Sequence, residues 1–207
     1  MTGTSNGDRA AGIALIGAAA MSMFAMAHHP TSLRAGALIG IVHGAMILFV
    51  GMMAYGFTHM ARRRGLGRPA VLTGLVAYGT GAFANVGAAL INGFVSPALA
   101  ARQPAVGHDL FALAWAMNQA LAGLAVVAVG LAYACWSLDL WARHRLAALL
   151  GLAAGGVPAL LLTGGWIDLH LHWAIIVYAA QALWAGLIGW LLLRGDLGDA
   201  DGQAGAA

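Results

Sequence analysis

Asp168-Leu-His170-Leu-His172 is the sharpest chemical pattern in the sequence, with three metal-ligating side chains at alternate positions. In an extended segment alternate side chains project to one side, so these three can converge on one ion through imidazole nitrogen and carboxylate oxygen. A helical segment would splay them. His28, His29 and His108 stand at ends of apolar runs that face the same way, with Asp109 beside His108. Together they define a candidate metal cluster of His28, His29, His108, Asp168, His170 and His172, whose donors suit zinc or copper. Met21, Met23 and Met26 precede His28, and Met46 follows His43 by three positions. Thioether and imidazole together favour copper, especially Cu(I), over magnesium or calcium, although a single methionine is more often a flexible core filler.

A second set of polar residues lies deeper in apolar sequence: His43, Asn85, Asn92, Asn118, Gln119 and Gln181. Counted along their helices, His43, Asn92, Asn118 and Gln181 fall about 8–15 Å inside the same end. Lipid cannot hydrogen-bond an amide or an imidazole, so this layer must pair with itself, with water or with a bound group. Two readings follow, an interhelical hydrogen-bond network or the floor of a ligand pocket. Asn92 and Asn118 are the partners expected for His43. A b-type haem is the weaker fit, because no second histidine lies at the depth of His43 to complete a pair of axial ligands.

Six apolar runs must position these residues: Ala10–Ala27, Gly36–Met60, Pro69–Pro97, His108–Trp136, Leu146–Thr163 and Trp173–Leu193. As a helix, Gly36–Met60 would be roughly 36 Å long, enough for a hydrocarbon core of about 30 Å. Its His43 arc carries Gly36, Gly40, Gly44, Ile47, Gly51, Ala54 and Thr58 and is expected to face protein, with Leu38, Ile41, Val42, Phe49 and Met52 on the lipid side. Pro158 should kink the fifth run. The expected fold is an all-α integral membrane bundle of six transmembrane helices over residues 10–194, with a short frayed segment at 1–9 and a disordered tail at 195–207. The first run also resembles a cleavable signal peptide, with Arg9 ahead of an apolar core and Ala25-Met26-Ala27 at its end.

The composition supports the membrane assignment and narrows the chemistry. Of 207 residues 61% are hydrophobic and 8% charged. All basic residues are arginine and all acidic ones aspartate, so lysine Schiff bases and glutamate bases are excluded. Arg9, Arg62, Arg63, Arg64, Arg68, Arg143, Arg145 and Arg194 fall on one side of the predicted bundle, and Arg34 and Arg102 on the other. The positive-inside rule then puts both termini in the cytoplasm and the histidine-rich end outside, in a cell membrane, the inner one if the source is bacterial. The basic run Arg62-Arg63-Arg64 lies between two apolar spans, which reads as a topology signal and not as a nucleic-acid surface. Cys135 is alone and fits packing.

Function remains open at this level among three classes. An enzyme would use a metal at the histidine-rich end; Ser32 and Ser96 lack a nucleophile-elbow setting. A transporter or channel would use the polar layer as a solute site, without a buried carboxylate for proton coupling. A non-catalytic assembly protein would dock its glycine-rich helices on a membrane partner or a second copy of the chain.

Overall fold

The computed structural model describes residues 5–30, 36–103 and 107–197. Helices dominate them, and no strand occurs among the described residues. Six helices are long and apolar enough to cross a membrane: α1 (Asn6–Ala27), α2 (Ala37–Arg64), α3 (Pro69–Ala100), α4 (His108–Leu140), α5 (Arg145–Thr163) and α6 (Leu171–Arg194). Each packs on its successor, and α6 returns to α1, so the six close into a ring. The α6–α1 seam is tight because Gly12 faces Gly189. A Cβ on Gly12 would sit 2.7 Å from the Gly189 carbonyl oxygen, and one on Gly189 would sit 2.8 Å from the Gly12 oxygen.

The helix boundaries correct the sequence reading in four places. First, α1 starts at Asn6 through a capping box in which Ser5 Oγ accepts from the Asp8 N–H and Asp8 accepts from the Ser5 N–H, so residues 5–8 are not frayed. Second, α3 runs on past Pro97, and α4 past Trp136 to Leu140, which brings Asp139 into the bundle. Third, α6 begins at Leu171, so His172 is helical and the alternation required for Asp168, His170 and His172 to converge is broken. Fourth, Gly195 ends α6 in the left-handed conformation at φ 73°, and Leu197 folds back into the core; the rest of the tail lies outside the described residues.

Two π-helical turns interrupt the ring, Ile91–Val95 in α3 and Leu152–Gly156 in α5. Each stops just short of a proline, Pro97 or Pro158. A proline has no N–H to give and its ring crowds the carbonyl four residues back, so a widened turn relieves both problems.

At the arginine-rich end the ring is filled. Phe57 of α2, Tyr78 of α3, Tyr133 and Trp136 of α4 and Trp184 of α6 form one aromatic cluster. Phe57 stacks on Trp136 at 5.0 Å and on Trp184 at 5.9 Å between ring centroids. Three polar atoms of the cluster are hydrogen-bonded: Trp136 Nε1 donates to the Val71 carbonyl at 3.2 Å, Trp184 Nε1 to the Ala147 carbonyl at 2.8 Å, and the Tyr133 hydroxyl to the Gln181 carbonyl at 3.1 Å. Below it, Asp139 holds Arg64 and Arg68, each at 2.6 Å, and Asp8 pairs with His59 at 2.9 Å and Arg63 at 3.2 Å. The arginine run is therefore also a structural tie between helices.

On α2, Leu38 and Ile41 are exposed as expected of lipid-facing residues, whereas Val42 and Phe49 are buried against Ala18 and Ala25 of α1. The glycine arc is corrected too: His43 is buried, but Gly36, Gly51 and Thr58 are exposed and Gly40, Gly44, Ile47 and Ala54 only partly covered, because α2 packs on α1 and α3 through the face that carries Ile39, Val42, Phe49 and Phe57 on the other side of His43.

Candidate ligand-binding cavity

At the histidine-rich end the ring encloses a cavity of about 320 Å³. The helices supply its walls in a definite pattern. His43 comes from α2, Asn85 and Asn92 from α3, Asn118 and Gln119 from α4, and Tyr178 from α6, with His29 and His170 contributed by the segments flanking α1 and α6. Between these polar groups the wall is built of small residues, Ala88, Ala89, Ala122 and Ala174, which is why a space persists there. Asn92 sits in the π-turn of α3, whose Gly93 allows the backbone to lie against the His43 side chain.

Hydrogen bonds fix much of the polar lining. His43 Nδ1 donates to the Ile39 carbonyl at 2.8 Å, so its Nε2 carries the lone pair, and His29 Nε2 faces it at 3.2 Å. The partners of His43 are thus His29 and its own helix, in place of the expected Asn92 or Asn118. Asn118 Nδ2 donates to the Ala88 carbonyl at 3.0 Å, Gln119 Nε2 lies 3.4 Å from Asn118 Oδ1, and the Tyr178 hydroxyl donates to Asn85 Oδ1 at 3.0 Å. Burial, with His43 alongside, holds the His29 ring below the usual imidazole pKa, so it stands neutral at pH 7. Among the described residues no carboxylate and no arginine lines this cavity.

A second cavity of about 80 Å³ lies deeper and shares Met26, Met46, Asn85, Ala89 and Tyr178 with the first. Gln181 lines it, next to Tyr78 and Tyr133 of the aromatic cluster. Gln181 is 6% exposed, and its Nε2 has no hydrogen-bond partner among the described residues. No match is found. Comparison with protein-family models, characterised proteins and solved structures yields no significant similarity, so the chemistry of the chain itself carries the functional reading.

The six residues of the expected metal cluster do not come together. Among the described residues no three histidine, cysteine, aspartate or glutamate side chains are placed to hold an ion. Local partners explain the dispersal. His28 Nδ1 donates to the Phe24 carbonyl at 2.9 Å, and Asp168 Oδ1 accepts from the His170 N–H at 3.0 Å, as a turn residue ahead of α6 does. His170 stacks on Trp115, His172 meets the edge of Trp173, and His108 is exposed at the start of α4. Only His29 and His170 of the six reach the cavity.

The polar layer fares differently. His43, Asn85, Asn92, Asn118 and Gln119 all line the larger cavity and Gln181 the smaller. Among the wall residues that the sequence reading did not assign to a site are two large ones with polar atoms, Trp115 and Tyr178. Both were within reach of helical periodicity, since Trp115 precedes Asn118 by three positions and Tyr178 precedes Gln181 by three.

Proposed function

We propose that this multi-pass membrane protein binds a small uncharged solute in the cavity at its histidine-rich end, which faces the outside of a cell membrane, with the arginine-rich end in the cytoplasm. The observation that carries this reading is the convergence of amides from α3 and α4 and an imidazole from α2 on one space whose far end is filled by aromatic rings. A volume of about 320 Å³ falls at the lower bound of small-molecule sites. The lining chemistry then selects the ligand class. Amide and imidazole groups offer donors and acceptors without net charge, and the alanines between them offer apolar contact, so a neutral ligand with a few polar groups is matched, with no carboxylate or arginine among the described lining residues to pair with an ion.

A transport role is favoured by one specific observation, the deeper cavity that continues from the first toward Tyr78 and Tyr133. Transport would require the aromatic cluster to part.

Native mass spectrometry of the protein released from nanodiscs tests the binding reading. The parent should carry an exchangeable non-lipid adduct that is absent from Ala122→Trp, whose indole would occupy the cavity. The same adduct on both proteins, or none on the parent, would count against it.

A further inference from the structure

We propose that Met26, His29, His43 and Met46 form a site for a soft monovalent cation, Cu(I) by its donor chemistry. Two short motifs face each other across the α1–α2 hairpin, Met26-Ala-His-His29 and His43-Gly-Ala-Met46, each with a thioether three residues from an imidazole and in mirrored order. All four side chains line the same cavity.

The geometry of the two imidazoles suits an ion between them. His43 is held by its Nδ1–H to the Ile39 carbonyl, so the Nε2 lone pair is the free one, and His29 Nε2 lies 3.2 Å from it. Two metal–nitrogen bonds of about 2.0–2.1 Å spanning that 3.2 Å separation subtend roughly 100–105°, near the tetrahedral angle. Two further positions are then left for the thioethers of Met26 and Met46. Binding requires the hydrogen on His29 Nε2 to leave. It relocates to Nδ1 of the same ring, which has no other hydrogen-bond partner among the described residues, so the neutral pair binds the ion with no net proton release.

Charge and softness choose the ion. All four ligands are neutral and no carboxylate is among the described lining residues, so a single positive charge is far less costly to bury than a double one. Thioethers prefer Cu(I), or its surrogate Ag(I), to zinc, and among the described residues no third histidine, cysteine or carboxylate joins the pair to complete a zinc site. This site shares His43 with the solute reading, which otherwise stands on the amides of α3 and α4 and takes nothing from Met26, His29 or Met46. Either can fail alone.

The test uses the purified full chain in nanodiscs, with Cu(I) kept reduced by ascorbate and competed against bicinchoninate, and with Ag(I) as a redox-silent probe. The parent should retain one ion per chain, with sulfur and nitrogen scatterers in its X-ray absorption spectrum, and zinc should not displace it. The double variant Met26→Leu with Met46→Leu should weaken binding by about tenfold or more without changing the unfolding temperature of the ion-free protein. His43→Gln should abolish binding, and His28→Ala with His172→Ala should leave it intact. Failure of the parent to hold Cu(I) against bicinchoninate, full affinity in the folded methionine double variant, or loss of the ion on changing His28 and His172 would each overturn the proposal.

Discussion

The two ends of the bundle use the same ring of helices to opposite effect. Toward the arginine-rich end, Phe57, Tyr78, Tyr133, Trp136 and Trp184 fill the lumen, and the charged groups below them are paired within the chain. Toward the histidine-rich end, the corresponding inward positions are alanines, asparagines and histidines, and about 320 Å³ stays open. Neighbour packing is not uniform along the ring, since α5 meets α6 mainly through its first part, Arg145–Gly156, toward the arginine-rich end. Bulky inward side chains seal that end, and the polarity of the inward positions at the other decides what the open end can hold.

The largest effects should come from breaking the sealed end. Asp139→Ala leaves the Arg64 guanidinium buried without its carboxylate, where Arg64 and Asp139 side chains are 4% and 3% exposed. Loss of one partner of a buried pair costs about 3–5 kcal/mol, read as a fall in the detergent unfolding temperature. Trp136→Ala should cost a similar amount, about 3–5 kcal/mol, by emptying the centre of the aromatic stack, and it should also lengthen the cavity toward the arginine-rich end.

Changes in the open end should be milder. His43→Leu fills similar space but orphans the His29 Nε2–H, a loss of about 1–3 kcal/mol in the same unfolding assay. Smaller still is a pH effect. Because the folded protein depresses the pKa of His29, the unfolded chain takes up a proton first as the pH drops, so this histidine adds nothing to the pH dependence well above 6.5 and lowers stability as pH falls below about 6.5. Replacing His29 by Gln should flatten that part of an unfolding-temperature profile measured from pH 7.5 down to about pH 5, near the lower reach of folded-state histidine values. His28→Ala and His172→Ala, whose side chains lie at the exposed rim, should stay within about 0.5 kcal/mol of the parent.

Legibility in the sequence followed the range of the forces involved. Span number and helical class come from long apolar runs and were readable directly, and the residues of the polar layer stood out because they interrupt otherwise apolar helices, two of them in α3 and two in α4. The metal cluster was misread because shared elevation is not shared position. His28, Asp168 and His172 lie at one end of the bundle, but a carbonyl, a turn N–H and an indole edge, each within a few residues, engage them first. The His29–His43 pair depends on how the chain turns after α1, and the Asp139 tie depends on α4 running four residues past Trp136 to Leu140; neither can be deduced from hydropathy.

Side-specific thiol labelling in proteoliposomes tests the division into a sealed and an open end most directly. With Cys135 replaced by Ser, a cysteine is introduced either in the cavity wall by Asn118→Cys or beside the aromatic cluster by Ser137→Cys, where the native serine is fully buried. A small charged methanethiosulfonate reagent should modify the Asn118→Cys protein from the histidine-rich side only and the Ser137→Cys protein from neither side. Equal labelling of Asn118→Cys from both sides, or protection of it as complete as that of Ser137→Cys, would contradict a cavity open at one end and closed by aromatic rings at the other.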